Sequence, residues 1–416
     1  MTAYYMVLLG LTLCGSCLCV IKRSRLKDGI FLAISFVVLA TMSAIRYDVG
    51  FDYSFVYAPA FYRIINDPTG YILAQSRWEP GFRLLVSIMA LVSSNFQTFF
   101  VVTSILIILL IMLYFWLYSP NPLVSVFLFI TLSHYYCSMN FIRQTLAAAI
   151  AMFTLPLLKI ILDKLREEDV IRALPGALPF IGGYLGLVLL ASSFHMSTLL
   201  LIPFLVINLI PINKYVLSFY ALIATAIYFN TNTIISLITR FWFQYYALDN
   251  VHMQVGFAPT FTIAAVVVFL ILFVGSNILC EEDEGNRLYV NYAFFAAFFI
   301  LMGIRHSVLD RMSLLFVLVA PVGISILING LAEKFRQEWY IWIKRPMITK
   351  SIAVFAALIF GVFGGGLVFH HYALTRDHHG VVPYQVIFRQ EFYPYYVEYL
   401  RNRRRGVVME QEGYHE

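Results

Sequence analysis

Long apolar runs separated by short polar segments extend from the start of the chain to about residue 369. A helix needs about 20 mostly apolar residues to cross the hydrocarbon core of a bilayer. Twelve runs predict such helices, at 2–21, 29–45, 97–118, 121–139, 143–162, 177–194, 196–212, 215–235, 258–279, 288–304, 307–329 and 350–369. A further run, from Phe82 to Ser94, is too short to span comfortably and predicts a re-entrant or interfacial segment. The pattern therefore predicts an all-α, polytopic helical membrane protein.

The composition agrees with this class. Of the 416 residues, 61% are hydrophobic and 12% are charged, and the mean hydropathy is +0.79, whereas soluble proteins carry about 25% charged residues. The alternating strands of an outer-membrane barrel are absent. The five cysteines indicate no disulfide framework, because three of them lie inside the first apolar run. The net charge of +6 is spread over loops and helix ends, which argues against nucleic-acid binding.

The basic residues of the short loops predict the orientation, because such loops stay preferentially in the cytoplasm. Basic clusters lie between the first two runs and again at 159–172. With these loops inside, all eight lysines fall on the cytoplasmic side, and the outer side carries arginine alone as its basic residue type. A guanidinium binds phosphate or carboxylate bidentately, whereas an ammonium is a hydrated point charge. We therefore expect the outer arginines to be used for their geometry.

The predicted organisation is a transmembrane domain over residues 1–369 and an outer C-terminal tail over residues 370–416. The main outer loops lie at 46–81 and 236–256. Aromatic residues recur at three- and four-residue spacing in the tail before a basic end, which predicts a partly amphipathic segment lying on the membrane surface.

The outer stretch RYDVGFDYSFVY, at residues 46–57, is dense in charge and aromatic area. It contains Arg46, Asp48, Asp52 and Tyr53, and Glu79 follows in WEPGF. A loop that only connects two helices has no need of these residue types. The carboxylates are therefore candidate general bases, and the arginine is a candidate phosphate ligand.

Further arginines lie at the edges of apolar runs. Arg143 and Gln144 occur in MNFIRQTLAAAI, whose small side chains allow a helix or ligand to approach closely. Arg305 and Arg311 straddle the start of a later run, with Asp310 beside them. Snorkelling to lipid headgroups or a local ion pair would explain such arginines without a function. The small side chains that follow Arg143 favour a functional role for it. Because Asp310 can satisfy only one of Arg305 and Arg311, we also favour a functional role for Arg311.

His195, in SSFHMS, lies between two apolar runs on the outer face. A neutral imidazole near pH 7 can remove a proton from a sugar hydroxyl, although a lone histidine is equally often a structural residue. The three outer carboxylates are rival bases. The histidine pairs at 370–371 and 378–379 could bind zinc adventitiously, but no Asp-x-Asp pair lies on the outer side. We therefore predict no metal and no other cofactor.

The order of RYDVGFDYSFVY, WEPGF, MNFIRQTLAAAI, SSFHMS, LDRM and VVPYQVIF resembles the EpsG-like group of Wzy-type polysaccharide polymerases over about residues 40–390. The resemblance implies a GT-C-like polymerase architecture and the polymerisation of O-antigen or exopolysaccharide units on undecaprenyl diphosphate. It also implies that the polymerisation takes place at the outer face of the bacterial inner membrane, with a Wzz-type chain-length regulator as a further partner. By the same resemblance, the family motifs match Arg46, Asp48, Gly50, Asp52, Tyr53, Arg143, Gln144, His195 and Arg311.

The predicted reaction is a metal-independent transfer of the growing glycan from undecaprenyl diphosphate to the next lipid-linked unit. Arg143 and Arg311, followed by Arg46 and Arg305, are predicted to stabilise the leaving diphosphate. Charges gathered on one face favour an enzyme over a lipid-linked oligosaccharide flippase, which needs them through the bilayer depth. An acyltransferase would need a deeper histidine facing the cytoplasm. An O-antigen ligase differs only in its acceptor and stays open as an alternative.

Overall fold

The computed structural model describes residues 1–20, 23–73, 78–167, 170–210, 214–241, 259–305, 307–344 and 350–388. Within these ranges the chain is helical, and extended pairing is limited to one bridge between Arg46 and Val386. The helices of the first part are α1 (Thr2–Gly15), α2 (Arg25–Ala44), α3 (Ala58–Ile64), α4 (Pro68–Leu73), α5 (Pro80–Val92), α6 (Gln97–Tyr118), α7 (Pro122–Thr131), α8 (His134–Asn140), α9 (Ile142–Ala151) and α10 (Thr154–Glu167). Those of the second part are α11 (Val170–Ser192), α12 (Leu201–Ile207), α13 (Lys214–Phe241), α14 (Pro259–Val274), α15 (Ser276–Leu279), α16 (Arg287–Gly303), α17 (Ser307–Met312), α18 (Leu314–Val317), α19 (Ala320–Lys344) and α20 (Lys350–Arg376). Short π-helical and 3-10 segments are Ser16–Val20, Tyr53–Tyr57, Met196–Leu200 and Glu284–Asn286.

Six helices of the described part are long and apolar enough to cross a membrane, or eight if each of two bent pairs is one span. The six cover Thr2–Cys19, Arg25–Ala44, Gln97–Tyr118, Ile142–Arg166, Arg172–Ser192 and Ala356–Arg376. One bent pair joins α7 and α8 at 55°, and the other joins Leu309–Val317 and Ala320–Arg336 at 41°. The all-helical, multi-pass class is thus confirmed, but these spans do not reach the predicted twelve.

Several predicted spans are short or broken helices instead. α14 has 16 residues and α16 has 17, so at about 1.5 Å per residue both fall short of a hydrocarbon core of about 30 Å. The break between α7 and α8 lies at Ser133, whose φ of +69° is left-handed and ends a right-handed helix. A hydropathy sum does not register such a break. The run that was predicted to be too short to span is α5, which has 13 residues.

The polar residues gather at two opposite ends of helix α6. A polar crevice at one end contains Arg25 and Lys334 beside Trp116, which lies in the last turn of α6. At the other end, Gln97 in the first turn of α6 donates to the Arg46 carbonyl oxygen at 3.3 Å. The helix therefore separates an end that has both arginine and lysine from the end that has Arg46, which we call the outer end.

The outer loops and the tail differ from the prediction in their bounds. α20 continues to Arg376, so the predicted domain boundary at residue 369 falls inside a helix. The predicted loop 46–81 contains α3 and α4, and α13 runs past residue 236 to Phe241. Residues 242–256, and the predicted amphipathic tail beyond residue 388, lie outside the described residues.

After α20 the chain returns across the outer end in a stretch that we call the return segment, residues 377–388. The Gly50 N–H donates to the Gly380 carbonyl oxygen at 2.7 Å, and the Ile387 N–H donates to the Ile45 carbonyl oxygen at 3.0 Å. These bonds attach the return segment to the loop that follows α2. The two stretches RYDVGFDYSFVY and VVPYQVIF, far apart in the chain, are therefore neighbours.

Replacing Gly50 with alanine is expected to lower the thermal stability of the protein. Gly50 has a φ of +98°, and an added Cβ would lie 2.9 Å from the Met139 carbonyl oxygen. A side chain forced into such a backbone conformation costs about 1–3 kcal/mol. The measurement is the Tm of the purified protein in lipid nanodiscs. Gly361→Ala is the control, since Gly361 lies on an exposed face of α20 with open space around it. Equal Tm values for the two variants would contradict the prediction.

Candidate functional site

An ion pair between Glu79 and Arg143 joins two of the predicted motifs. Arg143 lies in the first turn of α9, and its Nη1 donates to Glu79 Oε2 at 2.7 Å. The second carboxylate oxygen, Oε1, accepts the Met196 N–H at 3.1 Å. The Trp78 ring centre lies 5.7 Å from the guanidinium carbon and covers the pair. The charge of Arg143 is therefore neutralised by Glu79, and both oxygens of Glu79 are already engaged.

His195 is the N-cap of the 3-10 segment Met196–Leu200. Its Nδ1 accepts the Ser197 N–H at 3.3 Å and lies 2.8 Å from Ser197 Oγ. An Nδ1 that accepts a hydrogen bond leaves the proton of a neutral imidazole on Nε2. Burial lowers the pKa of His195 to about 3, and the positive charges of Arg143 and Arg311 act in the same direction. The imidazole is therefore neutral at physiological pH, with its basic nitrogen occupied as a helix cap.

Asp52 lies immediately before the π-helical segment Tyr53–Tyr57 and is half-buried. Its backbone N–H donates to Asn140 Oδ1 at 3.0 Å, which holds the loop against the end of α8. Burial raises the pKa of the Asp52 carboxyl, while the positive charges of Arg311 and Arg143 oppose that rise. A carboxylate with a raised pKa is a stronger base than one in water.

Arg311 lies in α17 and is exposed. Its guanidinium carbon is 5.1 Å from the centre of the Phe141 ring, and Gln144 Nε2 donates to its backbone carbonyl oxygen, which ties α17 to α9. None of the ion pairs among the described residues includes Arg311. Its guanidinium therefore forms no ion pair within the described part of the chain, although its charge acts on the neighbouring carboxyl groups of Asp52 and Asp310.

Three residues of the first motif lie outside this group. Arg46 is 1% exposed, and its Nη1 donates to the side chains of Ser43 and of Ser104 within the helix packing. The Tyr53 ring is buried too, stacked on Phe100 at 4.4 Å. Asp48 is exposed, with a left-handed φ of +48°. The structure therefore places Arg46 and Tyr53 in the packing that supports the loop.

Arg305 is exposed at the end of α16, and its guanidinium carbon lies 4.7 Å from the Tyr228 ring centre on α13. Among the described residues it has no contact with Glu79, Arg143 or Asp52 that would place it in the same group. The structure does not bring Arg305 together with the other candidates.

Five separate segments thus supply one electrostatically coupled group at the outer end. Arg143 and Arg311 both act on the pKa of Asp52 and on that of His195. We call Asp52, Glu79, Arg143, His195 and Arg311 the candidate site. The described part of the chain contains no group of three or more His, Cys, Asp or Glu side chains that could hold a metal ion.

One supporting residue escaped the sequence analysis. The Tyr57 hydroxyl accepts the backbone N–H of Arg143 at 3.4 Å. The N–H groups in the first turn of a helix lack intrahelical acceptors, so the start of α9 needed such a partner. The sequence could have predicted that this N–H group needs an acceptor. It could not have predicted that Tyr57 is the acceptor, because nothing in the sequence near α9 indicates it.

The EpsG family model matches residues 29–386. The match covers most of the 416 residues and includes all five residues of the candidate site. The chain belongs to the EpsG family. Membership indicates a polysaccharide-polymerase type of function. No curated protein and no solved structure is detectably similar to the chain.

In this EpsG-family protein the matched region leaves out α1 and ends within the return segment. The backbone bonds between Gly50 and Gly380 therefore join two parts of the matched region. The return segment is thus part of the region that defines the family, together with the loop it supports.

Proposed function

We propose that this EpsG-family protein is a Wzy-type polymerase of O-antigen or exopolysaccharide, which transfers a growing glycan from undecaprenyl diphosphate to the next lipid-linked repeat unit. The observation that carries the proposal is the grouping of Arg311, which forms none of the ion pairs of the described residues, with the half-buried carboxylate of Asp52, on which its charge acts. The proposal includes the outer face of the bacterial inner membrane as the location. It also includes a GT-C-like architecture and a Wzz-type regulator as a partner.

Arg311 is the first choice for the diphosphate. As the glycosidic bond to the carrier breaks, the diphosphate gains negative charge, and a preorganised cation aimed at that charge lowers the barrier. Arg143 shares its charge with Glu79 in a 2.7 Å ion pair, so its field at the diphosphate is partly cancelled. We assign the Glu79–Arg143 pair a positioning role, because it connects α9 to the backbone of Met196.

Asp52 is the general base in this mechanism. The acceptor hydroxyl oxygen attacks the anomeric carbon of the donor, and the bond from that carbon to the diphosphate oxygen breaks. The hydroxyl proton goes to the Asp52 carboxylate, and the electron pair of the broken bond goes to the diphosphate beside Arg311. His195, whose Nδ1 is engaged by Ser197, orients the segment that follows it.

Replacing His195 with asparagine is expected to keep most of the polymerising activity, whereas His195→Ala is expected to lose stability and activity together. Asparagine is a good N-cap residue, and loss of a cap costs about 0.5–2 kcal/mol. The measurements are polymer yield and Tm for both variants. If both variants lose activity to the same extent at an unchanged Tm, the imidazole itself takes part in the chemistry and the capping role is wrong.

The proposed function is tested by incubating the purified protein in nanodiscs with undecaprenyl-diphosphate-linked repeat units. A ladder of products formed without any second protein supports a polymerase. Product that appears only when a lipid A core acceptor is added identifies a ligase instead. Movement of intact lipid-linked units across vesicles, without new glycosidic bonds, identifies a transporter. Either of the last two outcomes would overturn the proposal.

A further inference from the structure

A cavity of about 250 Å³ lies next to the candidate site, inside the helical bundle. Its walls come from α14, α16, the two bent helix pairs and the return segment, and they are largely apolar. Phe261 and Ala265 of α14, Ala296 of α16 and Val317 of α18 are among the apolar residues that line it. The small side chains on α14 and α16 leave the space that larger residues would fill.

Polar side chains that interrupt these apolar walls include Asp310 and Arg311, and three others have a buried atom without a hydrogen-bond partner. Ser133 Oγ, His134 Nε2 and His379 Nδ1 are buried atoms without a hydrogen-bond partner among the described residues, and all three residues line the cavity. Ser133 is 2% exposed and His134 is 8% exposed. Buried polar atoms are normally paired, because an unpaired one costs free energy. Three such atoms on one cavity indicate a polar group that binds there.

Two long-range features bring this polar cluster together. The break between α7 and α8 turns Ser133 and His134 toward the cavity, since Ser133 has the left-handed φ that ends α7. The return segment supplies His379, whose ring lies 5.8 Å from Phe141. The guanidinium of Arg311 also lies over Phe141, at 5.1 Å, and Arg311 lines the same cavity. The cavity lining therefore combines the cation of Arg311 and three unpaired polar groups with the neighbouring carboxyl group of Asp310, while the walls from α14 and α16 are largely apolar.

We propose that this cavity binds the first isoprene units of a polyprenyl diphosphate, with its diphosphate hydrogen-bonded by Ser133, His134 and Arg311. An apolar chain suits the walls between α14 and α16, and phosphate oxygens suit the unpaired polar groups. A free sugar would leave its hydroxyls unpaired along the apolar walls. The inference rests on the proposed function only in naming the lipid as the substrate carrier, and its test is a binding measurement.

The test measures the affinity of the full-length protein in nanodiscs for three probes: farnesyl diphosphate, farnesol and inorganic pyrophosphate. Farnesyl diphosphate is expected to bind at least tenfold more tightly than either of the other two, because it alone contacts both the apolar walls and the unpaired polar groups. Equal affinities for farnesyl diphosphate and pyrophosphate would show an anion site without a chain site. Equal affinities for farnesyl diphosphate and farnesol would show chain binding without the polar contacts. Either result overturns the proposal.

Two variants locate the binding. Ala296→Phe fills the apolar part and is expected to weaken farnesyl diphosphate binding by at least tenfold, without changing pyrophosphate binding. Ala226→Phe is the control, because Ala226 lies on an exposed face of α13 away from the cavity. His134→Phe keeps a ring but removes the unpaired nitrogen. A lost hydrogen bond to a charged group lowers affinity by about tenfold or more.

His134→Phe decides the matter if Ala296→Phe fails to fold. Removing an unpaired buried nitrogen is not expected to lower the Tm of the free protein. If His134 has only a structural role, His134→Phe leaves farnesyl diphosphate binding unchanged, and that result overturns the proposal. The proposed function can fail while the cavity assignment holds. That is the outcome if both variants weaken farnesyl diphosphate binding but the wild-type protein forms no glycan ladder. If the wild-type protein forms a glycan ladder but both variants bind farnesyl diphosphate normally, the cavity assignment is wrong and the polymerase function stands.

Discussion

Arg311→Gln is expected to reduce the rate of polymerisation by about 10²–10³-fold, which is the usual effect of removing one preorganised group that stabilises developing negative charge. Arg311 forms none of the ion pairs of the described residues, and its charge acts on the pKa of the Asp52 carboxyl. Arg311→Lys keeps the charge but loses the bidentate fork, so an intermediate rate is expected. The measurement is the initial rate of ladder formation in nanodiscs.

Arg63→Gln is the matched control for Arg311→Gln. Arg63 is an exposed arginine of the same outer loop region, and its Nε donates to the Pro59 carbonyl oxygen within its own helix, α3. Its replacement is expected to leave the rate within about twofold, as is usual for surface substitutions away from special features. A different result would assign diphosphate binding to Arg143. In that case Arg311→Gln keeps the full rate, whereas the double variant Arg143→Gln/Glu79→Gln loses it.

Asp52→Asn is expected to slow polymerisation by about 10²–10⁴-fold, the contribution of a general base. The wild-type rate should also fall as the pH is lowered, because Asp52 accepts a proton only while it is ionised. Burial raises the pKa of Asp52, so this fall begins at a higher pH than for an exposed aspartate. We call this fall in rate at low pH the acid limb of the pH profile. The residual rate of Asp52→Asn should lack the acid limb, since no carboxyl group titrates at that position.

Asp48→Asn is the control for Asp52→Asn. Asp48 lies on the same loop, is exposed, and has a left-handed φ that asparagine adopts readily. Its rate and its pH profile are expected to match those of the wild type. A normal acid limb in Asp52→Asn would assign the base to another group, and a lost limb in Asp48→Asn would assign it to Asp48.

The roles of particular residues show where the sequence stops being informative. The sequence presented Arg46 and His195 as functional candidates, because charge at an apolar boundary and a lone imidazole are both unusual. Arg46 is buried against hydroxyl groups of neighbouring helices, and His195 caps a helical segment through Nδ1. Neither environment is a local property. The hydroxyl of Ser104, for example, is 58 residues from Arg46 in the chain.

The sequence by itself determined the class of the protein, its all-helical build and the gathering of arginines and carboxylates at one end of it. These are local properties. An apolar run that can span the membrane is complete within about 20 residues, and the order of the runs decides on which side of the membrane each loop lies. The tertiary structure decided which apolar runs are continuous helices, and which charges are paired. Glu79 meets Arg143 across 64 residues and Met196 across 117. Such contacts arise only when helices distant in the chain pack together, so no local pattern could indicate them.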